Sequence, residues 1–209
     1  MFRAHSITVV AIAVAAAAIL PSAALAAEPP ATTVAATAYY YAMRDEPDFT
    51  VGVATLDHAS WHLEARYNYE ARNAGSAFVG WKFTGGEAIT FEVTPIVGAL
   101  FGAARGVVPG VEASVAWGSF DAYIEAEYVD DRNSADASYY YAWSELAWKP
   151  VEWLRVGLVG QRTHTVDTGR DLQRGVFAQA TIGKATLGAY AFNPDSGARY
   201  VIVSLGARF

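Results

Sequence analysis

The sequence predicts an all-β fold: an antiparallel up-and-down β-barrel, most consistently read as twelve strands. Three observations predict it. Segments of about ten residues alternate apolar and polar positions. Their connections alternate between very short and longer ones. The chain is 13% aromatic, yet no stretch after residue 26 is long and apolar enough to cross a membrane as a helix.

Residues 1–26 carry Arg3, the apolar run "ITVVAIAVAAAAIL", Pro21 and the small-residue ending Ala24-Leu25-Ala26. That is the form of a signal peptide cleaved before Ala27. Residues 27–209 then form one barrel domain, with 27–33 as a loose leader. With Arg3 gone, 15 Lys and Arg become 14 against 21 Asp and Glu, a net charge of −7. That charge argues against nucleic acid as a partner. No cysteine is present, which excludes disulfides and thiolate metal sites.

The strands follow in order near 35–43, 49–56, 60–70, 76–84, 87–100, 107–117, 120–129, 138–148, 152–163, 174–182, 185–192 and 199–209. The third, "WHLEARYNYE", is the clearest. Trp61, Leu63, Ala65, Tyr67 and Tyr69 share one parity; His62, Glu64, Arg66, Asn68 and Glu70 share the other. A helix would scatter those charges, whereas a strand separates them. The segment "FDAYIEAEYV" separates Phe120, Ala122, Ile124, Ala126 and Tyr128 from Asp121, Tyr123, Glu125 and Glu127. The fifth sets Ile89, Phe91, Val93 and Val97 against Thr90, Glu92 and Thr94. The sixth sets Val111, Ala113, Val115 and Trp117 against Glu112 and Ser114.

The short connections are "DHA", "GG", "GS", "KPV" and "GK". The longer ones are "RDEPD", "RNAGS", "GAARG", "DDRNSADA", "HTVDTGRDLQ" and "NPDSGA". Strict alternation between the two classes predicts a transmembrane barrel with short periplasmic turns and modest extracellular loops. Trp61, Trp81, Trp117, Trp148 and Trp153 fall beside short turns. Tyr39–Tyr41, Tyr67, Tyr69, Tyr128, Tyr139 and Tyr140 fall toward long loops. Two aromatic girdles at the lipid–water interfaces account for both groups. Trp153 does not fit the parity of Leu154, Val156 and Leu158.

The chain closes on "RYVIVSLGARF", with Val201, Val203, Leu205, Ala207 and Phe209 on one parity. This resembles the C-terminal strand of bacterial outer-membrane β-barrel proteins. The resemblance implies that these residues are the assembly signal read by the barrel assembly machinery. It also implies an integral outer-membrane location, among lipids and lipopolysaccharide. In architecture only, without a shared motif, twelve strands in a short chain look like the small acidic-sugar porins.

With the apolar parity toward lipid, the interior set contains His62, Glu64, Arg66, Lys82, Glu92, Glu112, Glu125, Glu127, Glu145, Arg155 and Arg208. Carboxylates concentrate on the fifth to eighth strands, and basic groups on the third, fourth and ninth to twelfth. Two opposed charged walls follow from that distribution. The function expected is a narrow passive channel for small hydrophilic solutes, its selectivity set by these charges. The alternative is a lumen closed by its own ion pairs, with a structural role. Tyr139, Tyr141 and Trp143 share the inward parity and are the candidates for stacking against a sugar-like solute.

An enzyme, such as a lipid hydrolase, is the least favoured reading. Besides His5 in the signal, the histidines are His58, His62 and His164. They lack metal-ligand spacing, and no Gly-x-Ser-x-Gly is present. No catalytic residue, metal or cofactor is predicted.

Overall fold

The computed structural model describes residues 31–133, 137–165 and 169–209. The predicted signal peptide, residues 1–26, lies outside the described residues. The strands are β1 (Thr32–Ala42), β2 (Phe49–His58), β3 (Trp61–Tyr67), β4 (Ala74–Trp81), β5 (Phe83–Gly86), β6 (Ile89–Gly102) and β7 (Gly106–Trp117). They continue with β8 (Phe120–Asp131), β9 (Tyr139–Val151), β10 (Leu154–Thr165), β11 (Gly169–Ile182), β12 (Ala185–Phe192) and β13 (Tyr200–Arg208).

β4 and β5 are two pieces of one stave, because both pair with β6 in one register: Gly80 opposes Ile96, and Phe83 opposes Val93. The ladder breaks between them opposite Pro95, which has no N–H to donate. Counting that stave once, the sheet has twelve staves, all antiparallel. It closes where β1 meets β13, with Tyr40 opposite Val203. Phe209 N–H donates to Val34 O at 2.7 Å, and Val34 N–H donates to Phe209 O at 2.9 Å. No unpaired edge remains along that seam.

Each of the twelve predicted strands has its counterpart in chain order; differences lie at the ends. β3 stops at Tyr67 because Asn68 takes a left-handed backbone conformation, φ 59°. Its amide donates to Thr50 O at 2.9 Å, and its side-chain oxygen accepts from Asn73 N–H at 2.7 Å. The chain therefore loops over 68–73 instead of continuing to residue 70. β9 runs to Val151, so the turn predicted at "KPV" sits at Glu152–Trp153. Trp153 is exposed in that turn, which is why it matched neither parity. β10 and β11 pair as far as Thr165 opposite Gly169, leaving only a short connection where "HTVDTGRDLQ" suggested a long one.

Two of the short turns are carried by glycines in left-handed geometry, Gly118 (φ 58°) and Gly183 (φ 59°). This is the sign of φ that tight hairpins demand. Among the longer connections, Asp48 accepts hydrogen bonds from Tyr40 OH at 2.6 Å and Met43 N–H at 2.9 Å. The Tyr40 bond first, then the Met43 bond, hold its carboxyl below the usual range.

Alternation is visible in the burial of β13: Ile202 is 0% exposed and Leu205 is 62% exposed. The outward side carries Leu63, Phe91, Ile124, Leu146, Leu158 and Leu187, all exposed. A continuous apolar outer face of this size requires an apolar solvent, and a bilayer supplies it. Near the short turns, Trp61 meets Trp81 edge-on at 5.0 Å, and Trp117 stacks on Phe120 at 6.0 Å. Near the loops, Tyr128 lies 4.7 Å from Tyr140. These contacts form the two girdles. Among the predicted girdle tyrosines, however, Tyr39, Tyr41, Tyr69 and Tyr139 turn inward. In each "YYYA" only the middle ring, Tyr40 or Tyr140, faces out.

Replacing outward Leu146 with Arg is expected to destabilise the barrel by about 2–4 kcal/mol, read by urea titration in liposomes. No change would mean that this face is wet. Deleting Phe209 removes both bonds at the seam. It is expected to lower the fraction of chain in the compact, heat-modifiable form on unboiled gels.

Candidate functional site: the barrel interior

The interior is organised around Arg66. Alternation along β3 points this side chain inward, where none of it is solvent-accessible. Five carboxylates surround the guanidinium: Glu64 at 2.9 Å, Glu70 at 3.4 Å, Glu112 at 3.7 Å, Glu125 at 3.1 Å and Glu127 at 2.8 Å. Its plane is also flanked by aromatic rings, Tyr69 at 4.5 Å and Phe78 at 4.3 Å from the central carbon. Arginine suits this position because its planar fork serves several oxygens while its faces stack.

Glu125 and Glu127 belong to β8, three staves beyond the neighbours of β3 on the shorter way round. Arg66 is therefore a tie across the lumen. The loop after β3 reinforces it. Tyr69, expected to face lipid, swings inward after Asn68, donates to Glu125 at 2.9 Å and meets Tyr141 edge-on at 5.8 Å. Tyr139 OH donates to the carbonyl of Glu70 at 2.5 Å. Ser76 OH lies 2.8 Å from both oxygens of Glu70.

The tie divides the interior into two unequal compartments. On the β4–β8 side, Phe78, Ile96, Leu100, Val108 and Val129 form a buried apolar cluster. Gly98 makes room for it: a Cβ there would lie 2.4 Å from the Phe78 ring. On the β9–β13 side, Trp143, Phe177, Tyr190, Phe192, Tyr200 and Ile202 form a second, mostly aromatic cluster. Between this cluster and the tie lies a cavity of about 320 Å³. Its lining includes Glu64, Glu112, Glu125 and Glu145, and no Lys, Arg or His.

The remaining charged residues occupy distinct places. Arg155 donates to Asp121 at 2.6 Å, Glu145 at 2.5 Å and Gln179 at 2.9 Å, near the short-turn end. Lys149 also reaches Asp121 at 3.2 Å. Lys82 pairs with Asp57 at 3.3 Å, and Asp57 lies 2.8 Å from His62 Nδ1. Glu92 sits half-buried on β6 beside the β5 piece. Arg208 corrects an expectation: although its parity is inward, it is exposed at the end of β13, away from the interior clusters. The two opposed charged walls are also corrected, since Arg66 and Arg155 sit inside the carboxylate groups. Side-chain length carries a basic group from one wall to the other, and parity alone cannot show that reach.

Tyr141 and Trp143 turn inward, and Trp143 borders the cavity. Its Nε1–H donates to Glu145 at 3.0 Å. Tyr139 packs on the opposite apolar cluster instead. Sequence reasoning missed the apolar interior residues Phe78, Ile96, Leu100 and Val108. Their inward parity was readable, but apolar residues on both parities gave no contrast. Asp57, read as part of the short connection "DHA", lies at the end of β2, and Asp121, on the inward parity of β8 but left out of the interior set, belongs to it.

No family model matches the chain, and no curated protein matches it. Solved structures do. The KdgM porin superposes with a TM-score of 0.58 at 9% identity, covering 83% of this chain and 98% of that one. The KdgM porin in complex with disordered oligogalacturonate gives 0.59 at 7% identity, with the same coverages. The chain shares its fold with an outer-membrane porin. At this identity the likeness concerns the path of the backbone, and the KdgM fold does not fix which side chains fill the lumen.

Replacing Arg66 with Met leaves the carboxylates facing each other without a cation. The expected loss is about 3–5 kcal/mol of unfolding free energy, the usual cost of stripping one partner from a buried ion pair. Urea titration of the folded protein checks it. A loss under about 1 kcal/mol, as for an exposed pair, would mean that Arg66 is not the tie.

Proposed function

We propose that the barrel is an outer-membrane channel passing small hydrophilic solutes, and that it favours cations and neutral solutes over anions. One observation carries this reading: the cavity beside the tie is lined by four carboxylates and no basic side chain. A charged lining in a narrow aqueous path selects by the sign of the permeant. Of the four, Glu112 is held most loosely, its nearest contact with Arg66 being 3.7 Å. Glu145 is engaged by Arg155 and Glu125 by Arg66.

KdgM has been seen with an oligogalacturonate, a chain of acidic sugars. The carboxylate lining here opposes a polyanion, so the reading departs from that ligand while keeping the fold. Trp143 and the inward tyrosines offer ring faces for a neutral sugar-like solute in the same space. Lipids and lipopolysaccharide around the wall, and assembly through the C-terminal strand, belong to the same proposal.

A second reading has its own observation. Arg66 reaches across the lumen with no exposed side-chain area, and the β4–β8 side is filled. A barrel that closes itself this way has a structural role. The hydrolase reading has less support, since among the described residues no Ser or Thr hydroxyl is hydrogen-bonded to His62, whose Nε2 has no hydrogen-bond partner.

Planar-bilayer recording separates these readings. The folded protein is expected to give discrete conductance steps with a reversal potential showing cation preference. Glu112→Gln is expected to shift that potential toward zero. Absence of steps from folded protein would favour the closed barrel, and an unchanged potential would remove Glu112 from the conducting path.

A further inference from the structure

We propose that the barrel interior binds a divalent cation of the zinc type, with His62, Glu64 and Glu112 as its protein ligands. The three side chains come from β3 and β7. Their ligand atoms lie within 4.8 Å of one another.

The imidazole is the decisive group. His62 is 6% exposed, and its Nε2 is buried with no hydrogen-bond partner. Its other nitrogen, Nδ1, lies 2.8 Å from Asp57 Oδ1. An ionised carboxylate can only accept, so Nδ1 carries a proton, and once the ring is neutral, as metal binding requires, the lone pair is on Nε2. Metal-binding histidines are commonly oriented by this arrangement of a carboxylate behind the ring. Nε2 faces Glu64 Oε2 at 3.6 Å and Glu112 Oε2 at 3.9 Å. Both separations are too long for a hydrogen bond. They suit donors that share an ion: two atoms bound to tetrahedral zinc stand about 3.4 Å apart. The two separations from Nε2 lie within about half an ångström of that spacing, and all three ligand atoms lie within 4.8 Å of one another.

Charge and access point the same way. Five carboxylates gather around one guanidinium, so a negative excess is confined here, and a divalent ion offsets it. Glu64 and Glu112 line the cavity, so an ion can enter from it and water can complete the coordination. One nitrogen donor among carboxylates favours borderline first-row ions over calcium, which prefers oxygen alone. Asp57 acts as a positioning residue, touching the ring and not the ion.

Binding requires only the folded barrel and does not depend on conduction, so it can fail or succeed apart from the channel reading. The test is equilibrium dialysis of the full folded protein in detergent micelles against Zn²⁺, with bound metal counted by elemental analysis. One zinc per barrel is expected. Affinity should fall by tenfold or more in His62→Gln and in Glu112→Gln, and by about tenfold in Asp57→Asn. Retention of the compact gel form shows that each variant has folded. X-ray absorption on the zinc-loaded wild type gives a reading independent of any variant, with a histidine nitrogen expected in the first coordination shell. Failure of the wild type to retain zinc, unaltered binding in folded His62→Gln and Glu112→Gln, or a spectrum without histidine would each overturn the proposal.

Discussion

The interior of this barrel depends on one guanidinium. Twelve staves enclose more space than a ring of short side chains can fill, and a charged residue inside must find partners or water. Arg66 meets both demands by reaching from β3 to β8. Around it, Glu64, Glu70, Glu112, Glu125 and Glu127 would repel one another without a cation in their midst. Tyr69 and Phe78 bracket its faces and exclude water from the contact. The tie decides where apolar residues can pack and where space remains.

Two consequences follow from where it sits. The β4–β8 wall is close enough to the tie for Phe78, Ile96 and Val108 to close the gap as an ordinary apolar core. On the β9–β13 side, Trp143 and Tyr190 of the aromatic cluster line a cavity. Function in this protein is therefore a question about one compartment. Glu112 and Glu145 border that compartment from different walls, while Glu127 is confined to the tie and Arg155 to a second ion-pair group near the short turns. The cation preference proposed for the channel and the divalent ion proposed beside His62 draw on the same surplus of carboxylates.

The comparison with KdgM illustrates how little a barrel backbone says about its contents. Pairing between staves uses main-chain groups, which every residue except proline supplies. A chain with 9% identity can therefore follow the same path. The lumen is chemistry carried by alternate side chains, and those are free to differ.

Much of this protein was legible in its alternation. Period two gave β3 its faces, so that His62, Glu64 and Arg66 point inward and Trp61 and Leu63 outward. It also gave the C-terminal strand its lipid side, Val201 to Phe209. Those features are local, because the pleat sets direction within a strand whatever its neighbours do. Tyr69 escaped the rule because a left-handed Asn68 ends the pleat one residue before it. The stave break at Lys82, the long β10–β11 hairpin and the turn at Trp153 depended on pairing with a neighbouring strand. By itself the sequence determined the barrel, its inner and outer faces and the tryptophans beside the short turns. Only the tertiary structure decided which inward residues meet. Contacts such as Arg66 to Glu127 or His62 to Glu112 join strands far apart in the chain, and their distance is set by barrel curvature and side-chain reach, which no single strand's pattern contains.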